Sequence, residues 1–180
     1  MSREFTSKND LIDLKLFKQR EVFLFEVIDA DTVYRISREL IALDSEKKKL
    51  IRLFLDSPGG LVEQGLALVD IIQGLRSPVH TIIIGEACSM AGYVSIHGTK
   101  RFITKRASWM GHEMHADYDD YHTKNLDRLA YDTSLWDKIL KVYKEKTHLT
   151  DQDIDKLKRG ELWLDAEACL RKGIVDKILA

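Results

Sequence analysis

The apolar patterning of this chain predicts an α/β fold in which a largely parallel sheet is covered on its faces by helices. Three observations carry that expectation. Short, largely apolar runs rich in β-branched and aromatic residues occur at 21–28, 50–55 and 79–84, the length and composition of buried strands. Longer segments with apolar residues at helical spacing separate them. The two kinds of segment alternate along the chain, as in folds whose strands are joined by crossover helices.

Taken in order, residues 1–10 read as a polar, flexible arm, and 11–180 as a single domain, since 180 residues suffice for one core. Residues 21–28 form the first strand. Asp29-Ala30-Asp31-Thr32 caps a helix whose inner face is Val33, Ile36, Leu40 and Leu43. A charged turn at 46–49 leads to the second strand, 50–55, which stops at Asp56-Ser57-Pro58-Gly59-Gly60. The helix 61–75 buries Val62, Leu66, Leu68, Val69, Ile71 and Ile72. A third strand, 79–84, runs into the turn Gly85-Glu86-Ala87-Cys88-Ser89, and a helix follows over 90–97. Short strands are expected at 101–103 and 108–110. The longest helix spans 125–146 with an apolar stripe of Leu126, Leu129, Leu135, Trp136, Ile139, Leu140 and Tyr143. Thr150-Asp151-Gln152-Asp153 opens a short helix. From Trp163 the chain passes through a helix at 166–172, a turn at Gly173 and a last strand at 174–179.

Composition narrows the function. The formal net charge of -1 gives no global attraction to nucleic acid or to an anionic membrane. No apolar stretch has the length of a bilayer span, and residues 1–10 lack the apolar centre of a signal peptide. Two cysteines, Cys88 and Cys169, do not make a disulfide framework, so a reducing cytoplasm is expected.

The chemistry centres on Ser89. A serine at a strand-to-helix turn stands clear of the sheet, amid backbone N–H groups able to face an oxyanion. Gly59 and Gly60 occupy the corresponding turn after the preceding strand, and a right-handed crossover makes the two strand ends neighbours. A base is needed, and the chain offers His80, His97, His112, His115, His122 and His148. His112 ends the 108–110 strand on the expected edge, with His115 as an alternative. Candidates for the acid that orients the imidazole are Asp151, Asp153, Asp155, Glu161 and Asp165. Glu161 is singled out because it precedes Trp163-Leu164, an apolar pair read as heading into the core. Cys88 reads as a small buried residue rather than the nucleophile. His112, Glu113, His115, Asp119 and His122 form a weak metal-site alternative, one residue short of the zincin spacing. The expectation is therefore no metal.

Five stretches together resemble one family: Phe17-Lys18-Gln19-Arg20-Glu21-Val22-Phe23-Leu24, Leu55-Asp56-Ser57-Pro58-Gly59-Gly60, Gly85-Glu86-Ala87-Cys88-Ser89-Met90, Met110-Gly111-His112, and Ala166-Glu167-Ala168 with Gly173-Ile174-Val175-Asp176. In this order they are similar to the proteolytic subunits of the Clp protease, of the ClpP/crotonase superfamily. The resemblance implies stacked ββα units with a protruding handle helix, matched by 125–146. It implies Ser89 as nucleophile, His112 as base, Glu161 at the acid position where aspartate is usual, and the Gly60 and Met90 amides as oxyanion hole. It also implies a serine endopeptidase that cuts peptides and unfolded proteins inside a chamber. The chamber would be a homo-oligomer, a heptameric ring with a possible double ring, or a ring mixed with a paralogue. The partner would be an AAA+ unfoldase of the Clp type, which would use the ATP, since this chain has no phosphate-cradling motif and needs no cofactor of its own.

Departures from the family pattern are also present. Residues 113–121 contain no glycine or proline, and Gly160 stands where arginine is usual. Glu161 and the altered segment after His112 support one alternative to the peptidase, a catalytically weak or inactive ring subunit with a structural or regulatory role. The superfamily resemblance leaves another, an acyl-CoA-binding member that uses the oxyanion hole without a nucleophile.

Overall fold

The computed structural model describes residues 8–115 and 121–180, with only the backbone of His122 and Thr123. Chain order is α1 (Lys8–Lys18), β1 (Glu21–Leu24), α2 (Ala30–Glu46), β2 (Ile51–Ser57), α3 (Val62–Gly74), β3 (Val79–Cys88), α4 (Met90–Ser95), β4 (Lys100–Thr104), β5 (Ser108–His112), α5 (His122–Lys146), α6 (Asp151–Arg159), β6 (Glu161–Asp165), α7 (Ala166–Arg171) and β7 (Lys177–Leu179). Among the described residues this is a mixed α/β fold built on one seven-stranded sheet.

Strands β1, β2, β3, β4 and β7 lie side by side and parallel. The upper half of β3 exchanges its neighbour: His80–Ile83 pair with β4, and Glu86–Cys88 pair with β5. That second partner explains why β3 runs on to Cys88 instead of stopping at Ile84. The segment 85–88, expected as a turn, is held in the ladder by β5 and by Asp56, whose Oδ1 accepts from Glu86 N at 3.0 Å. β6 then pairs with β5 antiparallel. It had no counterpart among the expected strands.

The expected two-sided cover of the sheet is only partly met. Burial alternates along β1 and β2, where Val22, Leu24, Ile51, Leu53 and Leu55 are fully buried. On the opposite face Phe23 stacks on Phe54 at 5.3 Å. The inner face is closed by Ile36, Leu40 and Leu43 of α2 and Leu68, Val69 and Ile72 of α3. Asp29 caps α2 by accepting from Thr32 N at 2.8 Å, and Thr150 with Asp153 forms a capping box on α6.

Other boundaries shift. Lys8, Asn9 and Asp10, placed in the arm by their polarity, form the first turn of α1, while residues 1–7 lie outside the described residues. The apolar stripe of α5 splits. Ile139, Leu140 and Tyr143 are buried, but Leu126 and Leu129, on the first half of the helix, are about half exposed. No helix among the described residues is long and apolar enough to cross a membrane.

Candidate functional site

The site forms where β2 and β3 end together. Their parallel register brings Ser57 beside Ala87, so the Pro58-Gly59-Gly60 turn lies against the Cys88-Ser89-Met90 turn. The approach is close: a Cβ on Gly59 would stand 2.6 Å from Cys88 O, 2.8 Å from Ser89 Cβ and 2.9 Å from Met90 N. Gly59 also has φ +93°, which only glycine adopts cheaply. The 59–60 peptide gives its carbonyl to Ile28 N at 2.8 Å, and Leu61 N donates to Ile28 O at 2.8 Å. Because N–H and C=O point oppositely across a trans peptide, the Gly60 N–H faces away from Ile28, toward the β3 side. The Met90 N–H, at the first turn of α4, has no carbonyl partner within the helix.

Ser89 carries backbone strain. Its φ of +54° with ψ of -123° is a conformation that residues with a Cβ rarely occupy, and it costs on the order of 1–3 kcal/mol. Two backbone bonds hold it there: Ser89 N donates to Met110 O at 2.8 Å, and Tyr93 N donates to Ser89 O at 3.1 Å. The strain lifts the hydroxyl out of the ladder. Two residues beyond Met110 on β5, His112 faces it, with Nε2 2.8 Å from Ser89 Oγ. Both side chains are half-buried. Sequence placed these two residues on one edge, and the fold brings them into hydrogen-bond contact.

Glu161 lies directly across the β5–β6 pair from His112. Residues so opposed share a face, with Cβ atoms about 5 Å apart. Its carboxylate Oε2 accepts from Trp163 Nε1 at 2.7 Å. The expectation that Trp163 and Leu164 both enter the core is corrected here. Strand periodicity sends Leu162 and Leu164 inward, and leaves Glu161, Trp163 and Asp165 on the open face, Trp163 being 53% exposed. Of the other acids, Asp151 pairs with Lys144 and Asp153 with Lys172. Asp165 caps α7 and lies opposite Ser108, at the far end of the pair from His112.

The remaining candidates separate clearly. Burial, reinforced by the charges of Glu86 and Glu161, pushes the Cys88 thiol up to about 12, so it stays protonated at neutral pH. His97 is buried against Tyr93 O at 2.8 Å, and His148 packs at Gly173. Among the described residues no three His, Cys, Asp or Glu side chains converge as a metal-holding group. Asp119 and the side chain of His122 lie outside the described residues.

A cleft of about 280 Å³ opens beside Gly60, walled by Val62, Glu63, Met114, Arg128 and Asp132. Arg128 spans it, with Nη2 2.9 Å from Glu63 Oε1 and Nε 3.2 Å from Asp132 Oδ2. Sequence reading missed this ionic wall. The one available signal was Asp132, an acid in phase with the apolar stripe of α5 and buried in the structure.

Such an arrangement can deprotonate a hydroxyl and donate two neighbouring amide N–H groups to an oxyanion. A family model described as Clp protease matches residues 4–180 of the chain.

Proposed function

This chain belongs to the Clp protease family, and we propose that it is a serine endopeptidase working by acyl transfer. The single observation that carries the reading is the 2.8 Å contact between Ser89 Oγ and His112 Nε2 at a strained strand-to-helix turn. In this reading Ser89 Oγ attacks the peptide carbonyl carbon while His112 Nε2 takes its proton. Negative charge gathers on the carbonyl oxygen, which accepts from the Gly60 and Met90 N–H groups. Collapse expels the amine with the proton from His112 and leaves an ester on Ser89. Water, deprotonated by His112, then releases the acid. Glu161 serves as the orienting carboxylate by turning its side chain toward Nδ1 from across the strand pair.

Family membership supports an oligomer that encloses these sites, as a homomeric ring, single or stacked, or as a ring mixed with a paralogue. It supports as partner an AAA+ unfoldase, which spends the ATP and feeds unfolded protein to the chamber. A cytoplasmic location belongs to the same reading. A catalytically weak ring subunit is the second reading, favoured by the engagement of Glu161 with Trp163.

Hydrolysis of a fluorogenic peptide by the assembled protein and by Ser89→Ala separates them. The peptidase reading expects cleavage that Ser89→Ala abolishes, with the particle mass unchanged. Cleavage that persists in the variant removes Ser89 as nucleophile, and none in either protein favours the weak subunit.

A further inference from the structure

We infer that Trp163 is a positioning residue for the third member of the triad, its indole N–H competing with the His112 imidazole for the Glu161 carboxylate. The inference rests on the peptidase reading and deepens it. Glu161 and Trp163 are two apart on β6 and so share a face, and the β5–β6 register sets His112 on that face opposite Glu161. One carboxylate thus has two N–H donors within reach. Among the described residues the carboxylate accepts from Trp163 Nε1 at 2.7 Å, while His112 is engaged through Nε2 by Ser89. Glutamate permits this competition because its extra methylene adds a rotatable bond, letting the carboxylate swing along the strand. Trp163 is 53% exposed and holds Glu161 through its ring nitrogen, so the ring is free of the packing demands met by Leu162 and Leu164.

The consequence is a brake. With the indole holding the carboxylate, the imidazolium that forms during acylation lacks its counter-charge, and the transition state lies higher. Rotation of Glu161 alone completes the triad and needs no movement of Ser89, His112 or the oxyanion amides.

Trp163→Phe tests this, since it keeps an aromatic ring on an exposed face and removes the N–H donor together with the fused five-membered ring. Peptide hydrolysis by the assembled protein is expected to show kcat raised about 3- to 10-fold with KM nearly unchanged. The same substitution made on Glu161→Gln should give a kcat ratio near one, because no carboxylate remains to be released. Circular dichroism and particle mass confirm that each variant is folded. An unchanged or lowered kcat in folded Trp163→Phe overturns the inference while leaving the peptidase intact. An equal rise in both backgrounds also overturns it, since the effect would then not pass through Glu161. Failure of the wild-type protein to cleave, with Ser89 unreactive, removes the peptidase reading and the inference together.

Discussion

Replacing Gly59 with alanine probes how the turn after β2 holds Ser89 in place. The new Cβ would lie 2.6 Å from Cys88 O, 2.8 Å from Ser89 Cβ and 2.9 Å from Met90 N. These atoms belong to the backbone or its first side-chain carbon, so none can rotate away. Restoring ordinary contact at 3.4 Å means that the 88–90 turn retreats by about 0.8 Å from Gly59. Alanine at φ +93° adds strain of about 1–3 kcal/mol. For a chain of this size that lowers Tm by about 2–4 °C per kcal/mol. The catalytic loss should be larger than the thermal one. A displacement near 1 Å of a reacting group costs roughly 100-fold in rate, and the Gly60 and Met90 amides move with Ser89. Peptide hydrolysis should therefore fall about 100-fold in kcat/KM in a protein that still melts cooperatively. Gly74→Ala is the control: nothing lies within 4 Å of its Cβ, it closes α3 far from the site, and activity should be unchanged. Folded Gly59→Ala that hydrolyses peptide at the wild-type rate would refute the claim that this contact positions Ser89.

Two further predictions concern stability. Arg20 is buried and donates to Leu43 O, Leu50 O, Lys47 O and Lys49 O at 3.0–3.1 Å, bracing the α2–β2 turn. Lysine keeps the charge but not the planar fork, so Arg20→Lys should lose about 2–4 kcal/mol in urea unfolding. His97 is held neutral by burial, which pulls its pKa down to about 4, with the Tyr93 carbonyl opposing. The unfolded state therefore binds the extra proton between about pH 6.5 and 4. Stability from this site is complete above 6.5 and lost as pH falls through that window, by about 3 kcal/mol in all. His97→Gln, which cannot be protonated, should flatten that part of the urea-midpoint profile, and an unchanged slope would assign it to other groups.

The α/β architecture was readable because β2, α3 and β3 are long, strongly apolar and punctuated by Pro58, Gly59 and Gly60. Ser89 and His112 were readable for a related reason: both end strands, and parallel strands put their ends on one edge. What escaped depends on pairing between distant segments. Gly85-Glu86-Ala87 reads as a turn locally and becomes strand only because β5 lies beside it. β6 is five residues long, and its alternation, Leu162 and Leu164 in with Trp163 out, hides behind an apolar tryptophan that sits on the open face. The first half of α5 carries leucines for which this single chain supplies no cover. Arg20 belongs to a stretch that carried the family resemblance, yet its work is to satisfy carbonyls of the α2–β2 turn rather than to do chemistry.

The central claim is that His112 makes the Ser89 hydroxyl nucleophilic. Reaction of the assembled protein with a fluorophosphonate, followed by peptide mass mapping, tests it directly. One adduct per chain is expected, located on Ser89, with labelling slowed at least 100-fold in folded His112→Ala. An adduct on another residue, or labelling of Ser89 at an undiminished rate without His112, would contradict it.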